Sequence, residues 1–276
     1  MDNHQDRKKA PKEVADSDYK EMLVTILGSG TCVPSLKRSS CSVLIETGKT
    51  KILIDCGAGT IRRLLENGTQ IYDISHILIS HFHPDHTGEL ISFLFANKYP
   101  DGSKRKMPLS IIGGQGVLNF YAGLKAVFGN WIDLMPCVLN IIELDTYKKD
   151  MRLDDAVLEY LPVEHNEESL AYKVTGSNGC SIVYSGDTDY CDNLIEISYN
   201  ADLLICESAL PDELKVNGHL TPSVAGKIAA KAKVKKLILT HLYPECDKVD
   251  IRAQCKKTYP GDLIIAEDLM KIYLPG

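Results

Sequence analysis

No Cys-x-x-Cys pair occurs in this chain, although it contains nine cysteines. An odd number of thiols, scattered singly, argues against a disulfide framework and against a thiolate zinc site, and fits a reducing compartment. Long apolar runs are missing as well. None approaches the ~18 residues of a membrane span, and the N-terminus carries no apolar stretch of the kind that heads a signal peptide. The chain is therefore expected to act in the cytoplasm, away from the membrane. Positive charge is scarce, with 31 Lys and Arg against 37 Asp and Glu and a net charge of −6. No global basic field advertises a nucleic-acid partner, so any polyanion would need a local patch. Neither Gly-x-x-x-x-Gly-Lys-Ser/Thr nor Gly-x-Gly-x-x-Gly occurs. Gly28-Ser29-Gly30 consequently reads as a tight turn where backbone can come close to a ligand, not as a phosphate loop. Residues 1–20 have almost no large apolar side chain to offset the entropy of ordering, and are expected to fray. Residues 21–276 are long enough, at 44% hydrophobic overall, for a single domain with a substantial core.

What the chain does have is a regular succession of short apolar runs and helical patterns. Strands are expected over 22–27, 42–45, 51–57, 77–79, 109–114 and 138–144, and again over 156–163, 170–175, 180–184, 201–206, 236–241, 263–266 and 271–274. Runs such as Ile52-Leu53-Ile54 are continuously apolar, which is the mark of strands buried on both faces. Helical spacing covers 61–67, closed by Gly68, then 89–97, 117–128, 223–233 and 252–259. Thr221 before Pro222 is a sound capping start for the alanine-rich helix. Lys37-Arg38, Lys104 to Lys106 and Lys148-Lys149 are short basic stretches, solvated by default and weak candidates for meeting an anionic substrate.

The densest chemistry is His81-Phe82-His83-Pro84-Asp85-His86, set directly behind Ile77-Leu78-Ile79. Successive strand side chains point to opposite faces, so His81 and His83 share one face. Pro84 then stops the ladder and swings Asp85 and His86 elsewhere. Imidazole nitrogen and carboxylate oxygen are donors preferred by zinc and its first-row neighbours, and two divergent pairs suggest two adjacent ions. A polar loop capping the following helix would explain one histidine, not three with a carboxylate. Farther on, Gly186 permits a sharp turn that projects Asp187, whose two oxygens suit it to bridge two cations, although Gly-Asp-Thr is also common in Asx turns.

His-x-His-x-Asp-His after a strand resembles the signature of the metallo-β-lactamase superfamily of metal-dependent hydrolases. The resemblance implies a four-layer αββα sandwich, two mixed sheets face to face with helices outside. It implies one metal on His81, His83 and His165, another on Asp85, His86 and His241, and Asp187 bridging, the ions being zinc with manganese or iron as the other choices. Asp55, at the end of its strand, takes by the same resemblance a supporting role behind the metal loop. Glu207, Gly218-His219-Leu220-Thr221, the alanine-rich helix and Leu239-Thr240-His241 resemble the ribonuclease Z and phosphodiesterase branch, where the matching histidine donates a proton and the carboxylate orients it. Its opening segment is matched by the stretch from Gly28 to Ser42.

On this reading the metal pair activates a water that Asp85 helps orient, and His219 protonates the leaving group. Lactonases and thioesterases of the same fold are the competing class, and the Glu207–His219 pair argues against them. One departure bears on substrate. The long Gly- and Pro-rich arm with which ribonuclease Z enzymes grip tRNA has no counterpart here. A small or short phosphodiester is therefore expected, with tRNA 3′ processing as the runner-up, and a homodimer as the assembly.

Overall fold

The computed structural model describes residues 21–99, 105–145 and 150–276. The frayed tail expected for residues 1–20 lies outside them, as do Lys104, Lys148 and Lys149. Fourteen strands follow along the described chain: β1 (Glu21–Gly28), β2 (Ser42–Glu46), β3 (Lys51–Ile54), β4 (His76–Ile79), β5 (Leu109–Gly113), β6 (Leu139–Glu143), β7 (Asp150–Leu153), β8 (Ala156–Pro162), β9 (Leu170–Gly176), β10 (Ser181–Tyr184), β11 (Leu203–Glu207), β12 (Lys236–Thr240), β13 (Asp262–Ile265) and β14 (Met270–Pro275). They form two seven-stranded sheets, ordered β14-β1-β2-β3-β4-β5-β6 and β13-β12-β11-β10-β9-β8-β7. Each is antiparallel through β3 or β10 and parallel beyond it.

Side-chain alternation builds the layers. Ile52 and Ile54 of β3 join Leu78, Tyr172, Ile182, Ile205 and Ile238 in the core between the sheets. Leu53 points the other way, with Ile77, Ile79 and Leu27, to helices α1 (Thr60–Glu66) and α3 (Leu90–Lys98). The second sheet repeats the pattern, with Leu204, Cys206, Leu237 and Leu239 facing the alanines of α6 (Pro222–Ala232). The expected αββα sandwich is what forms, and the continuous apolar runs are its doubly buried strands.

Several details depart from expectation. The last strand does not complete the second half: β14 returns to the first sheet and pairs with β1, Val24 opposite Ile272. Two short elements carried too little periodicity to read, β7 and the six-residue helix α5 (Asp192–Ile197). Thr221 occupies the N-cap position of α6 without a side-chain cap bond, and Asp212 instead accepts from the Ser223 amide at 3.0 Å. The Gly28–Gly30 turn brings backbone close to the chain's own backbone, not to a ligand. A Cβ on Gly28 would stand 1.9 Å from the Ser40 carbonyl.

Arg105 overturns the reading of its loop as solvated. The side chain is buried, and its guanidinium donates to the carbonyls of Ile71, Ile74, Met107 and Pro108 and to Asn97 Oδ1. Burial draws its pKa down to about 10, which leaves it charged at neutrality. Arg38 is likewise occupied, on Ser29 Oγ, Ala266 O and Asp247. Replacing Arg105 by Leu should cost on the order of 3 kcal/mol or more in urea unfolding, since several buried acceptors lose their donor. The folded fraction should keep its kcat/KM. Unchanged stability with a raised KM would return Arg105 to the substrate surface.

Candidate metal and catalytic site

The residues picked out as metal ligands, acid and supporting carboxylates converge on one edge of the sandwich, where chain leaves the C-terminal ends of β3, β4, β8, β10, β11 and β12. The ligand atoms of His81, His83, His165 and Asp187 lie within 4.8 Å of one another. On the other side of Asp187, His86 Nε2 is 3.3 Å from Oδ1 and His241 Nε2 is 3.3 Å from Oδ2. Asp85 Oδ2 completes that side at 3.5 Å from His241 Nε2 and 3.9 Å from His86 Nε2. His81, His86, Asp187 and His241 are buried, whereas His83 is exposed and Asp85, His165 and His219 are half-buried, so one flank is open to substrate.

Hydrogen bonds fix which nitrogen each ring presents. Asp55 is fully buried, and its carboxylate accepts from the Ser80 amide, the Ser80 hydroxyl, the Tyr184 hydroxyl and His86 Nδ1, all at 2.7–2.8 Å. Having given its proton to Asp55, Ser80 Oγ can only accept from His81 Nδ1 at 3.1 Å. His165 Nδ1 donates to the Gly218 carbonyl at 2.9 Å. In His81, His86 and His165 the donor is thus Nδ1, and Nε2 faces the cluster. The buried Nε2 atoms of His81, His86 and His241 and Oδ1 of Asp187 have no hydrogen-bond partner. His83 Nδ1 and His165 Nε2 stand 3.3 Å apart. Converging nitrogens and carboxylate oxygens without hydrogen-bond partners are the pattern that divalent cations satisfy, and the donor set of imidazoles and carboxylates fits them.

The protein's own electrostatics prepare most of these groups to ligate. Burial, followed by the neighbouring His86, pushes His81 down to about 2, so its ring is neutral. Burial also lowers His165. Asp85 is pushed up by burial, but His241 and His86 beside it outweigh that and hold it at about 2. Asp187 stays ionised for the same reason, against an even larger burial cost. His86 runs the other way: burial opposes its charge, yet Asp187 and Asp55, one on each ring nitrogen, hold it protonated well above the ordinary histidine range.

Local backbone explains how the sequence places these side chains. Asp55 and His241 each follow a strand and adopt left-handed conformations, at φ 59° and 56°, which turn the side chain back over the sheet edge. Gly57 has no alternative, because a Cβ there would meet the Asp85 carbonyl at 2.1 Å.

On the catalytic flank, Glu207 ends β11 with a buried carboxylate. Oε1 accepts from the Thr188 amide and from His219 Nδ1, both at 2.9 Å, and Oε2 from the amides of Ala209 and Leu220. Glu207 therefore fixes the His219 tautomer and leaves Nε2 free. The imidazole is disfavoured as a cation by burial, but the Glu207 carboxylate raises its pKa above the ordinary value. His219 Nδ1 is 3.9 Å from Asp187 Oδ2, so the pair borders the cluster directly.

Sequence reasoning missed Ser80 and Tyr184, whose hydroxyls are ordinary strand-end groups until Asp55 is seen between them. It also missed Cys41, whose Sγ lies within 4.8 Å of the His86 and His241 ligand atoms. Burial first, and then Asp187, keep that thiol protonated, and it donates to the Gly30 carbonyl at 3.2 Å.

Comparison with known proteins agrees with this geometry. A family model described as Anti-Pycsar protein Apyc1 matches residues 22–255. The chain belongs to that family. This Apyc1-family protein is a metal-dependent hydrolase of the metallo-β-lactamase superfamily, in its ribonuclease Z-like branch. It is 28% identical to a ribonuclease Z of Methanosarcina acetivorans, over 91% of this chain and 98% of that one. Human tRNase Z, short form, superposes with a TM-score of 0.73 at 26% identity, covering 92% of the Apyc1-family chain and all of the human one. The metallo-β-lactamase fold protein YhfI of Bacillus subtilis has the same fold, with a TM-score of 0.80 at 23% identity over 92% of this chain and 100% of its own. Over the described residues, no helix of the Apyc1-family chain is long and apolar enough to cross a membrane.

The charged state of His86 gives a pH signature. A cation must displace its proton, so below the His86 pKa the apparent metal affinity should fall by about tenfold for each pH unit lost, the slope of one competing proton. Chelator competition across pH measures this, and a flat profile would show that no such proton is displaced.

Proposed function

We propose that the protein is a dinuclear phosphodiesterase acting on a small or short phosphodiester, with two divalent ions, zinc foremost and manganese or iron as alternatives. The observation that carries this is the Glu207–His219 pair, 2.9 Å apart and bordering the donor cluster. His81, His83 and His165 would hold one cation, Asp85, His86 and His241 the other, with Asp187 between them. When bound, such a pair supplies an activated water and charge stabilisation for the phosphoryl oxygens. Asp85, on the open flank, would also orient the attacking water. His219 Nε2 would give its proton to the departing alkoxide, while Glu207 keeps Nδ1 protonated and stabilises the imidazolium beforehand. A hydrolase with a good leaving group, such as a lactonase or thioesterase, has less need of this pair.

Substrate size is argued from what the relatives have in addition. The alignment with the archaeal ribonuclease Z runs over 312 positions, more than the 276 residues of this chain, so that relative contains segments with no counterpart here. Pre-tRNA cleavage is the second reading, favoured by the kinship itself. A 3′-extended tRNA cleaved efficiently at physiological salt would make it the first.

Elemental analysis should find about two metals per chain. His219→Ala should retain both, while hydrolysis of an alkyl phosphodiester falls ~10²–10⁴-fold and that of bis-p-nitrophenyl phosphate much less. Because Glu207 raises the His219 pKa, the acid form persists to higher pH in the parent enzyme. Glu207→Gln should therefore move the alkaline limb of kcat/KM to lower pH. Equal losses on both esters would remove His219 from the role.

The homodimer expected from the sequence has a suitable face in helix α4 (Val117–Phe128) and the turn after it. Val127, Phe128 and Trp131 are exposed there, with Phe95 of α3 beside Trp131. The one charge on α4, Lys125, pairs with Asp133 at 2.6 Å. Sedimentation should give a dimer that Val127→Glu with Trp131→Glu dissociates; a monomer at micromolar concentration would refute this.

A further inference from the structure

His219 sits at the end of a segment with little else to hold it, because residues 213–217 are exposed. At its far end the segment is tied by Gln254, which accepts from the Asp212 amide and donates to Glu213, both at 3.0 Å. At the end nearest His219 the ties converge on one carboxylate. Asp189 Oδ2 accepts from Lys215 Nζ at 2.7 Å and from the Gly218 amide at 3.1 Å, and Oδ1 accepts from the Tyr190 amide at 2.7 Å.

We infer that Asp189 is a positioning residue for proton transfer: it latches the 215–218 segment so that His219 meets both Glu207 and the leaving group. Gly218 is the hinge point of the latch. Its backbone is left-handed at φ +81°, and a Cβ would press on His165 Nδ1 at 3.2 Å. The same peptide unit that gives its amide region to Asp189 is followed by a carbonyl that accepts from His165 Nδ1 at 2.9 Å. Asp189's own amide donates to the Glu164 carbonyl at 2.7 Å, which joins the loop carrying His165 to the loop carrying Asp187. Asp189 thus ties its own loop to the 215–218 segment through its carboxylate and to the loop of His165 through its amide, and each of the three carries a site residue. A general acid contributes only when held within hydrogen-bond reach of the oxygen it protonates, and an unanchored segment spends its time elsewhere.

This inference rests on His219 acting as the acid, and the test separates the two ideas. The parent enzyme, Asp189→Ala, Asp189→Asn and His219→Ala are compared with saturating metal on an alkyl phosphodiester and on bis-p-nitrophenyl phosphate. Asp189→Ala is expected to slow the alkyl ester by about tenfold or more, a fraction of the whole general-acid contribution. The nitrophenyl ester should slow by less than about threefold, since its leaving group scarcely needs a proton. Asp189→Asn keeps an acceptor for the Gly218 amide and should recover most of the loss. If His219→Ala shows the leaving-group bias and neither Asp189 variant does, the latch is wrong while the acid stands. If His219→Ala shows no bias, both ideas fall. Equal slowing of both esters in Asp189→Asn would mark Asp189 as merely structural and overturn the latch.

Discussion

Much of this structure depends on keeping one carboxylate out of water. Asp55 is fully buried just past the end of β3, with four donors around it and a left-handed backbone beneath it. Burying an ionised carboxylate is prohibitively costly unless its lone pairs are filled, and here they are filled by groups from different places: Ser80 and His86 of the metal loop, and Tyr184 of the opposite sheet. The requirement that Asp55 be satisfied therefore docks the two halves against each other and sets the tautomers of His81 and His86 at once. The strained dihedral is tolerated because the surrounding contacts over-determine it.

Glu207 solves the same problem on the second sheet with a different result. It too is a buried carboxylate at a strand end with four donors, but three are backbone amides and the fourth is His219. Backbone amides hold the carboxylate without altering any other side chain's protonation, so its remaining influence falls on a single imidazole. Asp55 orients the imidazoles of the donor cluster, and Glu207 orients the one proposed as the acid. The difference lies in which donors the loops deliver, not in the carboxylates themselves.

The fold was legible because its signals are local. A doubly buried strand must be apolar at consecutive positions, and Ile52-Leu53-Ile54 or Leu203-Leu204-Ile205 can scarcely be anything else in a chain that also carries helical spacing. The cluster of His81, His83, Asp85 and His86 was legible for a similar reason, since the residues share six positions. Asp187, Glu207, His165, His219 and His241 came from resemblance, because nothing in one sequence tells which strand ends will meet. What stayed hidden depends on distant partners. Arg105 looked like a solvated cation because its acceptors are carbonyls spread from Ile71 to Pro108, and a carbonyl has no residue-type signature. β14 looked like the end of the second half because four to six apolar residues cannot declare which sheet they will join. Asp189, two residues beyond Asp187, could have been noticed as a second acid in the same turn, yet only the approach of Lys215 and Gly218 gives it a task.

Charge placement, more than total charge, bears on what the site can accept. A polyanion needs cations arrayed along its path, and each neutralised phosphate adds to both affinity and salt dependence. Among the described residues near this site, three cations are spent internally: Arg38 on Asp247 and a carbonyl, Arg63 on Glu66 and Asp268, and Lys215 on Asp189. Their charge neutralises neighbours instead of projecting a field. Under the proposed function, substrate attraction would fall mainly to the bound cations, acting over short range on a single phosphoryl group. Such a site would discriminate by how well one phosphodiester and its leaving oxygen fit between Asp85 and His219, and would gain little from the length of chain attached to either side.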